Sequence, residues 1–290
     1  MLRISVIIPC FNAGETIGCQ LQALAEQSWT WPWEIILADN GSRDDSREVA
    51  DKFRERLPNL RIIDASARRG QPFALNTAAA VATGDALLFC DADDEVGAGW
   101  LAAMAEALEQ HDFVACRIDA AKLNAPHARA SREGTQRDGL QRLPYPPYLP
   151  HAGGGTLGVK RWLHEAVGGF DEELPATHDT LFCLRVQQLG AELHFVPKAT
   201  MHVRFRHGFR GMFRQARTYG FYSTLVYKKA RNLGTAPIPH PWRDAANVWA
   251  ELLKRLPRNR SRDQWAAWIF RVGYRTGRLL GSIRHAVAAP

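Results

Sequence analysis

The feature that most constrains the fold of this chain is the alternation of short apolar segments with amphipathic segments over its first half. Residues 4–9 (ISVIIP) form a β-branched run that ends at a proline, which is typical of a strand buried on both faces. Similar runs follow at residues 33–38 and 86–90, and segments with helical spacing separate them. This alternation predicts a doubly wound α/β domain with a mostly parallel sheet.

Polar or turn-forming segments follow three of the predicted strands. They are residues 9–12 (PCFN), 39–42 (DNGS) and 91–94 (DADD). In open α/β sheets, ligands bind beyond the carboxyl ends of the strands. We therefore expect these three segments to meet at one edge of the sheet.

The acidic segment at residues 91–94 is the sharpest chemical signal. Neighbouring carboxylates repel one another, and a divalent cation removes that cost. Ligand sets made only of oxygen suit Mg²⁺ or Mn²⁺, which also bind phosphate oxygens. The alternative is an acidic turn that caps the next helix, and the segment alone does not decide between the two.

Four other candidates have equally plain structural explanations when each is considered alone. Asp39 could belong to a turn and helix cap. Gly70 precedes a predicted helix whose N-terminus could face a phosphate. Asp179 could be a general base or a helix cap, and His202 could be a ligand or a structural histidine.

The order of the motifs is more specific than any one of them. Along the chain, the motifs are VIIPCFN, EIILADNGS, RRG with ALNTA, GDALLFCDADD, GGFDE, HDTLFCLR and VPKATMH. This order resembles the family-2 glycosyltransferases, inverting enzymes of the GT-A fold. That fold is Rossmann-like, with a mostly parallel central sheet flanked by helices. The resemblance covers roughly residues 4–202.

The resemblance implies a role for each matching residue. The residues implied to contact the nucleotide and donor are Pro9, Cys10, Phe11, Asp39, Arg69, Gly70, Asp91 and Ala92. Asp93 would bind the metal ion, Mn²⁺ or Mg²⁺, with His202 as a further ligand. Asp179 would be the catalytic base. The residues implied to lie in the acceptor and sugar region are Gly154, Gly155 and His178.

Three departures from the family pattern matter. His178 stands where the family usually has Glu or Asp, and Asn40 stands where a second Asp is common. The Q-x-x-R-W motif of the processive, membrane-spanning relatives is absent, and no segment approaches the roughly 18 apolar residues of a membrane span. We therefore expect a non-processive enzyme.

The expected activity is hexosyltransferase-type glycosyl transfer from a nucleotide sugar to an acceptor hydroxyl. UDP-sugars are favoured because they are frequent donors in the family. The acceptor would be a glycan, a lipid-linked molecule or a small molecule, in the synthesis of a cell-envelope glycan, glycolipid or related glycoconjugate. Two alternatives stay open: a nucleotidyltransferase, and a catalytically degenerate, membrane-associated nucleotide-binding protein.

Charge is distributed unevenly along the 290 residues. The formal net charge is +7, but residues 201–290 hold 18 Lys and Arg against three acidic residues, or +15, which leaves −8 for the first 200. Such asymmetry predicts two tasks in one chain. We predict a GT-A catalytic domain at 1–205, with a nucleotide-sugar half (1–117) and an acceptor half (118–205). A basic amphipathic helical extension would occupy 206–290.

The extension combines tryptophan with arginine at helical spacing, as at Trp242, Trp265 and Trp268. A basic amphipathic helix of this kind can lie in a membrane interface. The alternative is a helical hairpin that packs on the catalytic domain. We expect peripheral contact with the cytoplasmic membrane face through 206–290, and no nucleic-acid partner, because no motif for one occurs.

Cysteine usage and the N-terminal sequence bear on the compartment. Five Cys, an odd number, occur without a C-x-x-C pair, and Cys10 and Cys90 lie in apolar runs. The N-terminal segment has neither the basic start nor the apolar core of a signal peptide. We therefore expect a cytoplasmic enzyme.

Overall fold

A computed structural model describes residues 2–290, which form ten β-strands and ten α-helices. The strands are β1 (Ile4–Cys10), β2 (Trp33–Asp39), β3 (Leu60–Asp64), β4 (Ala86–Phe89), β5 (Glu95–Val96), β6 (Phe113–Asp119), β7 (Gln141–Arg142), β8 (Pro150–His151), β9 (Leu157–Lys160) and β10 (Leu193–His202). The helices are α1 (Ile17–Ala25), α2 (Ser46–Asp51), α3 (Gln71–Val81), α4 (Trp100–Gln110), α5 (Pro126–Ala130), α6 (Arg161–Ala166), α7 (His178–Gln188), α8 (Phe209–Asn232), α9 (Pro241–Arg255) and α10 (Arg262–His285).

Eight of these strands form one sheet in the order β3-β2-β1-β4-β9-β6-β10-β5. Pairing is parallel between β1 and both β2 and β4, between β2 and β3, and between β6 and β10. Only β9 and β5 run antiparallel to their neighbours. The sheet is therefore mostly parallel and flanked by helices, as predicted.

The central strands are apolar because both of their faces are covered. Val6, Ile7 and Ile8 are completely buried in β1. Ile7 belongs to an apolar cluster with Ala74 and Ala78 of α3. Alanine brings a helix close to the sheet, which accounts for the run of small residues in α3.

The structure differs from the sequence-based prediction mainly at β5, β9 and β10. The strands β5 and β9 were not predicted, because segments of two and four residues carry almost no periodic signal. A proline usually ends a predicted strand, whereas β10 continues through Pro197 to His202. The register of β10 against β6 shifts between Val196 and Thr200, an irregularity that accommodates a proline inside the strand.

The chain divides into two compact units. The first unit comprises the residues up to Asp119, Gln136–Gln141 and Pro150–Val203, and the second comprises Ala120–Thr135, Arg142–Leu149 and Arg204–Pro290. The second unit, called the helical unit below, thus includes two segments upstream of residue 206. The predicted helical C-terminal region is present in it as α8, α9 and α10.

Within the helical unit, α8 and α10 pack with their backbones in close approach. Three of the close pairs are Gly273 with Phe213, Gly277 with Arg217, and Gly281 with Phe221. Successive pairs advance by four residues on both helices, so the helices run parallel. A side-chain carbon at Gly277 would lie 2.0 Å from the carbonyl oxygen of Arg217, so this position requires glycine.

An arginine explains why the segment Ala120–Thr135 belongs to the helical unit. The Arg132 guanidinium lies 4.8 Å from the ring centroid of Phe205, 5.6 Å from that of Tyr219 and 5.9 Å from that of Phe270. Cation–π contacts of this kind attach the segment to the long helices. Among the helices at residues 2–290, none is both long enough and apolar enough to cross a lipid bilayer.

Candidate active site

The carboxyl ends of three adjacent strands form the edge at which the site lies. Because β1 lies between β2 and β4 and is parallel to both, the segments that follow these strands are neighbours. Pro9 is half-buried near the end of β1, and Cys10 pairs in register with Asp39. The structure thus places the predicted segments at 9–12, 39–42 and 91–94 along one edge of the sheet.

An aromatic ring and a guanidinium lie together at this edge. The side chain of Phe11 is exposed, and the Arg69 guanidinium lies 4.6 Å from its ring centroid. Gly70 precedes the first turn of α3 and has a φ of 134°, a backbone conformation that residues with a side chain rarely adopt. An exposed flat surface beside a fixed positive charge suits a nucleotide.

The loop that carries Arg69 is held by Asn40. The buried Asn40 side chain donates through Nδ2 to the carbonyl oxygens of Ala65 and Arg68. Its Oδ1 accepts the Gly70 N–H at 2.8 Å. A carboxylate could accept from Gly70 but could not donate to the two carbonyls, which explains asparagine at this position.

Asp39 and Cys10 are buried beneath this loop. The Asp39 carboxylate accepts the Ser42 N–H at 3.0 Å and lies 3.5 Å from the Arg47 guanidinium. Burial raises the pKa of the Cys10 thiol to about 11, so Cys10 is a neutral, packed side chain. Cys10 therefore contributes its backbone and its volume to a ligand site, and not a thiolate.

Three carboxylates converge directly after β4. One oxygen each of Asp91, Asp93 and Asp94 lies within 4.8 Å of the others. Burial, followed by the charges of Asp93 and Asp179, raises the pKa of Asp91 to about 7. Burial and, after it, repulsion both oppose ionisation of Asp91, and a divalent cation would offset both. The all-oxygen ligand set fits Mg²⁺ or Mn²⁺. Ala92 is buried within the same turn.

Two glutamines position this acidic turn. The buried Gln20 of α1 donates to the carbonyl oxygen of Asp91 at 3.0 Å and accepts the Val96 N–H at 2.9 Å. Gln71 donates to Asp91 Oδ1 at 2.7 Å. Neither side chain is predicted from the sequence to have this role. For Gln20, the available signal was a polar residue on the otherwise apolar face of α1.

A glycine turn lies between Asp91 and Asp179. The Gly154 N–H donates to Asp179 Oδ2 at 2.9 Å. A side-chain carbon at Gly155 would lie 2.9 Å from Asp91 Oδ2, so the backbone approaches that carboxylate as closely as glycine allows. The predicted base and the first residue of the acidic turn therefore lie against adjacent residues of one short backbone segment.

The buried Gln136 holds the glycine turn in place. Its Nε2 donates to the Cys116 carbonyl at 2.8 Å and to Thr156 Oγ1 at 2.7 Å, and its Oε1 accepts the Gly153 N–H at 2.9 Å. No role for Gln136 is predicted from the sequence. Nothing local in the sequence marks it, because its partners lie 17 to 20 residues away.

Asp179 and His178 begin α7 in very different surroundings. The half-buried Asp179 carboxylate also accepts the Thr180 N–H at 2.7 Å through Oδ1. His178 is buried, with its ring edge-on to Phe170 at 5.5 Å between centroids. Burial lowers the pKa of His178 despite the nearby Asp179, so the ring is neutral at pH 7. The position that is usually acidic in the family therefore faces an aromatic cluster.

His202 lies opposite Glu95, the residue that follows the acidic turn. It ends β10, and its Nδ1 lies 2.8 Å from Asp119 Oδ2. A carboxylate on one ring nitrogen fixes the orientation of a histidine, an arrangement common behind metal ligands. The cluster identified among residues 2–290 nevertheless consists of Asp91, Asp93 and Asp94 without His202.

The comparisons with known proteins agree with this geometry. A family model described as glycosyl transferase family 2 matches residues 5–167. The glycosyltransferase YibD of Escherichia coli (strain K12) is 42% identical over 94 residues, which is 32% of this chain and 27% of that protein. A poly(ribitol-phosphate) beta-glucosyltransferase of Bacillus spizizenii is 33% identical over 100 residues, 33% of this chain and 16% of that protein. These matches span about a sixth to a quarter of the relatives' lengths.

Solved structures show the same fold over nearly the whole chain. The mannosyltransferase PcManGT from Pyrobaculum calidifontis, in complex with GDP-Man and Mn²⁺, is 21% identical with a TM-score of 0.68, over 96% of this chain and 87% of that chain. Residues 1–349 of S. aureus TarS, in complex with UDP-GlcNAc, are 18% identical with a TM-score of 0.56, over 98% and 92%. The predicted GT-A fold is confirmed. Since the family model covers more than half of its residues, the chain belongs to glycosyl transferase family 2.

Proposed function

We propose that this chain is an inverting, metal-dependent, non-processive glycosyltransferase that moves a sugar from a nucleotide sugar to an acceptor hydroxyl. One observation carries the proposal: Asp179 and Asp91 lie against the adjacent residues Gly154 and Gly155 of one turn. The Asp179 carboxylate would thus lie close to a sugar bound at the acidic turn, where it could take a proton from the incoming acceptor.

The donor side is formed by the strand ends. Phe11 and Arg69 offer a ring and a positive charge to the nucleotide, and Asp39 offers an acceptor for a base N–H. Asp93 and Asp91 would hold a Mn²⁺ or Mg²⁺ ion, with His202 proposed as a further ligand. When bound, such an ion supplies Lewis-acid stabilisation of the departing diphosphate.

The base is Asp179. Its Oδ2 is oriented by the Gly154 N–H, and it takes the proton of the acceptor hydroxyl as that oxygen attacks the anomeric carbon. The bond to the diphosphate oxygen breaks on the opposite face of the sugar, so the anomeric configuration inverts in one step. The proton ends on Asp179, as it ends on the base of an inverting glycosidase.

The donor base is proposed to be uracil. Among the structural neighbours, TarS is described with UDP-GlcNAc and PcManGT with GDP-Man, so GDP-mannose is the second donor to test. A thermal-shift screen of nucleotide sugars with and without Mn²⁺ identifies the base, since a bound ligand raises the unfolding temperature.

The acceptor is proposed to be a cell-envelope glycan, a glycolipid or another lipid-linked molecule, reached at the cytoplasmic membrane face. The support lies in the helical unit, where exposed apolar side chains accompany the basic residues. The exposed apolar residues of α9, α10 and the turn between them are Trp242, Leu253, Leu256, Leu280 and Ile283. Trp265 and Trp268 are half-buried, so they add less to this surface than the sequence suggests.

Substitution of Asp93 tests the metal site. Asp93→Ala should abolish the increase in donor affinity that Mn²⁺ produces, because it removes one carboxylate of the cluster. Isothermal titration of UDP with and without Mn²⁺ measures this. The control is Asp51→Ala, which removes an exposed carboxylate paired with Arg54. Equal affinity with and without Mn²⁺ in wild type, or an unchanged metal effect in Asp93→Ala, would contradict the proposed ligand role.

Substitution of Asp179 tests the base. Asp179→Asn keeps an oxygen that can accept the Gly154 N–H, so donor binding should stay within about two-fold while turnover falls on the order of 10²-fold or more. Release of nucleoside diphosphate with Mn²⁺ present provides the measurement. Near-normal turnover in this variant would place the base elsewhere. No release by wild type would favour a nucleotide-binding protein without activity.

A further inference from the structure

The helical unit contains an apolar groove between α9 and α10. The volume of the groove is about 530 Å³, within the range of pockets that hold small molecules. The residues that line the groove include Val248, Glu251 and Leu252 of α9 and Phe270, Arg271 and Arg275 of α10. It shares no residue with the candidate active site.

The floor of the groove is hydrocarbon and aromatic. Val248 and Leu252 line it from α9, and Phe270 and Tyr274 line it from α10. The Trp268 indole N–H donates to the Leu252 carbonyl oxygen at 2.9 Å, so the two helices are joined beside the groove. A floor of this composition suits an alkyl chain and offers few partners to a sugar or a nucleotide base.

The rim of the groove is basic. Glu251, the one carboxylate in the lining, pairs with Lys254 at 2.9 Å and also lies near Arg255. Across residues 2–290, no carboxylate forms an ion pair with Arg271 or Arg275. Arg275 is half-buried, and burial together with the charge of Arg278 lowers the pKa of its guanidinium. Two guanidiniums without an acidic partner, one of them partly desolvated, favour an anion at the rim.

We infer that this groove binds one lipid with a phosphate head group, its alkyl chain along the floor and its phosphate at Arg271 and Arg275. Planar guanidinium groups bind phosphate through paired, charge-assisted hydrogen bonds. The inference goes beyond the membrane contact proposed above, since it assigns a single lipid molecule to a defined site. It does not depend on catalysis.

Isothermal titration of the full chain with decyl phosphate, kept below its critical micelle concentration, measures the affinity and the number of sites. Decyl phosphate should bind at one site per chain, at least about 10-fold more tightly than decyl maltoside, which has the same chain, or inorganic phosphate. The double variant Arg271→Gln and Arg275→Gln should lose at least about 10-fold in affinity. Val248→Asp should weaken binding by a similar factor, because it places a negative charge on the floor.

Arg284→Gln is the matched control, since Arg284 is exposed on α10 and does not line the groove. It should bind decyl phosphate as wild type does, and circular dichroism should show that all variants are folded. The inference is overturned if the groove variants retain wild-type affinity, if Arg284→Gln loses as much as they do, or if decyl maltoside binds as tightly as decyl phosphate. Binding of decyl phosphate without binding to vesicles would support the groove and contradict the wider membrane contact.

Discussion

Asn40 shows how one side chain sets the geometry of a binding loop. Its amide donates to Ala65 and Arg68 and accepts from Gly70, so a single buried group satisfies three backbone atoms of one loop. The same loop carries Arg69 to the ring of Phe11. Because an amide offers both donors and an acceptor, which a carboxylate does not, these contacts account for asparagine at position 40.

Asn40→Asp should both destabilise the protein and weaken donor binding. The carboxylate would face two carbonyl oxygens that have lost their donor, at a cost of about 1–3 kcal/mol. Urea denaturation measures the stability, and titration with the donor measures the affinity. Asn232→Asp, an exposed change with the same added charge, is the control. Wild-type stability in Asn40→Asp would show that the loop does not depend on this amide.

At the scale of elements, Glu34 joins three strands at the end of the sheet away from the site. Its Oε1 accepts the Ser5 hydroxyl of β1 at 2.8 Å and the Thr83 N–H before β4 at 2.6 Å. Its Oε2 accepts the Arg61 guanidinium of β3 at 2.7 Å. Burial alone would raise the pKa of Glu34, but the hydrogen bonds from Thr83, Ser5 and Arg61 lower it to about 2.

Glu34→Gln should therefore destabilise the sheet in a pH-dependent way. A carboxyl whose pKa is lower in the folded than in the unfolded state stabilises the fold above the unfolded pKa, near 4.5. That contribution is lost as the pH falls from about 4.5 toward 2. We expect a loss of about 1–3 kcal/mol at pH 7 that shrinks at pH 3.5. Denaturation of both proteins at the two pH values measures it.

The exposed Glu55 provides the control for this experiment. Glu55→Gln removes the same charge without buried hydrogen bonds, so its effect should be small at both pH values. A difference between wild type and Glu34→Gln that stays constant from pH 7 to pH 3.5 would contradict the lowered pKa.

At the scale of the whole molecule, the charge asymmetry follows the two structural units. The helical unit contains residues 204–290, which carry all the excess of +15. Its two upstream segments add four further basic residues against one acidic residue. The first unit, with the acidic turn, is correspondingly acidic. The two structural units therefore separate the basic from the acidic residues more completely than one boundary along the sequence does.

The basic residues of the helical unit should bind the full chain to anionic membranes. Vesicles containing anionic lipid should float with the protein at low salt, and binding should weaken as salt screens the charges. Neutral vesicles should bind much less. Absence of binding to anionic vesicles, where a control basic peptide binds, would contradict the peripheral contact proposed for residues 206–290.

The sequence by itself determined the parallel sheet, the edge of the site and the C-terminal helices. These features depend on local information: apolar runs mark β1, β2 and β4, and parallel strands end at the same edge. The resemblance in motif order also pointed to Asp91 and Asp179, which the structure places against adjacent glycines of one turn, and to Asp93, which lies in the carboxylate cluster with Asp91.

Only the tertiary structure decided which polar residues hold the site together. Gln20 contacts Asp91 across 71 positions, and Gln136 reaches Cys116 and Thr156 across 20. It also brought His202 to within 2.8 Å of Asp119. The physical reason is that a buried side-chain amide must form hydrogen bonds, and it forms them with groups that are close in space and not in sequence. Those partners are brought near by packing, and no local pattern in the sequence records that.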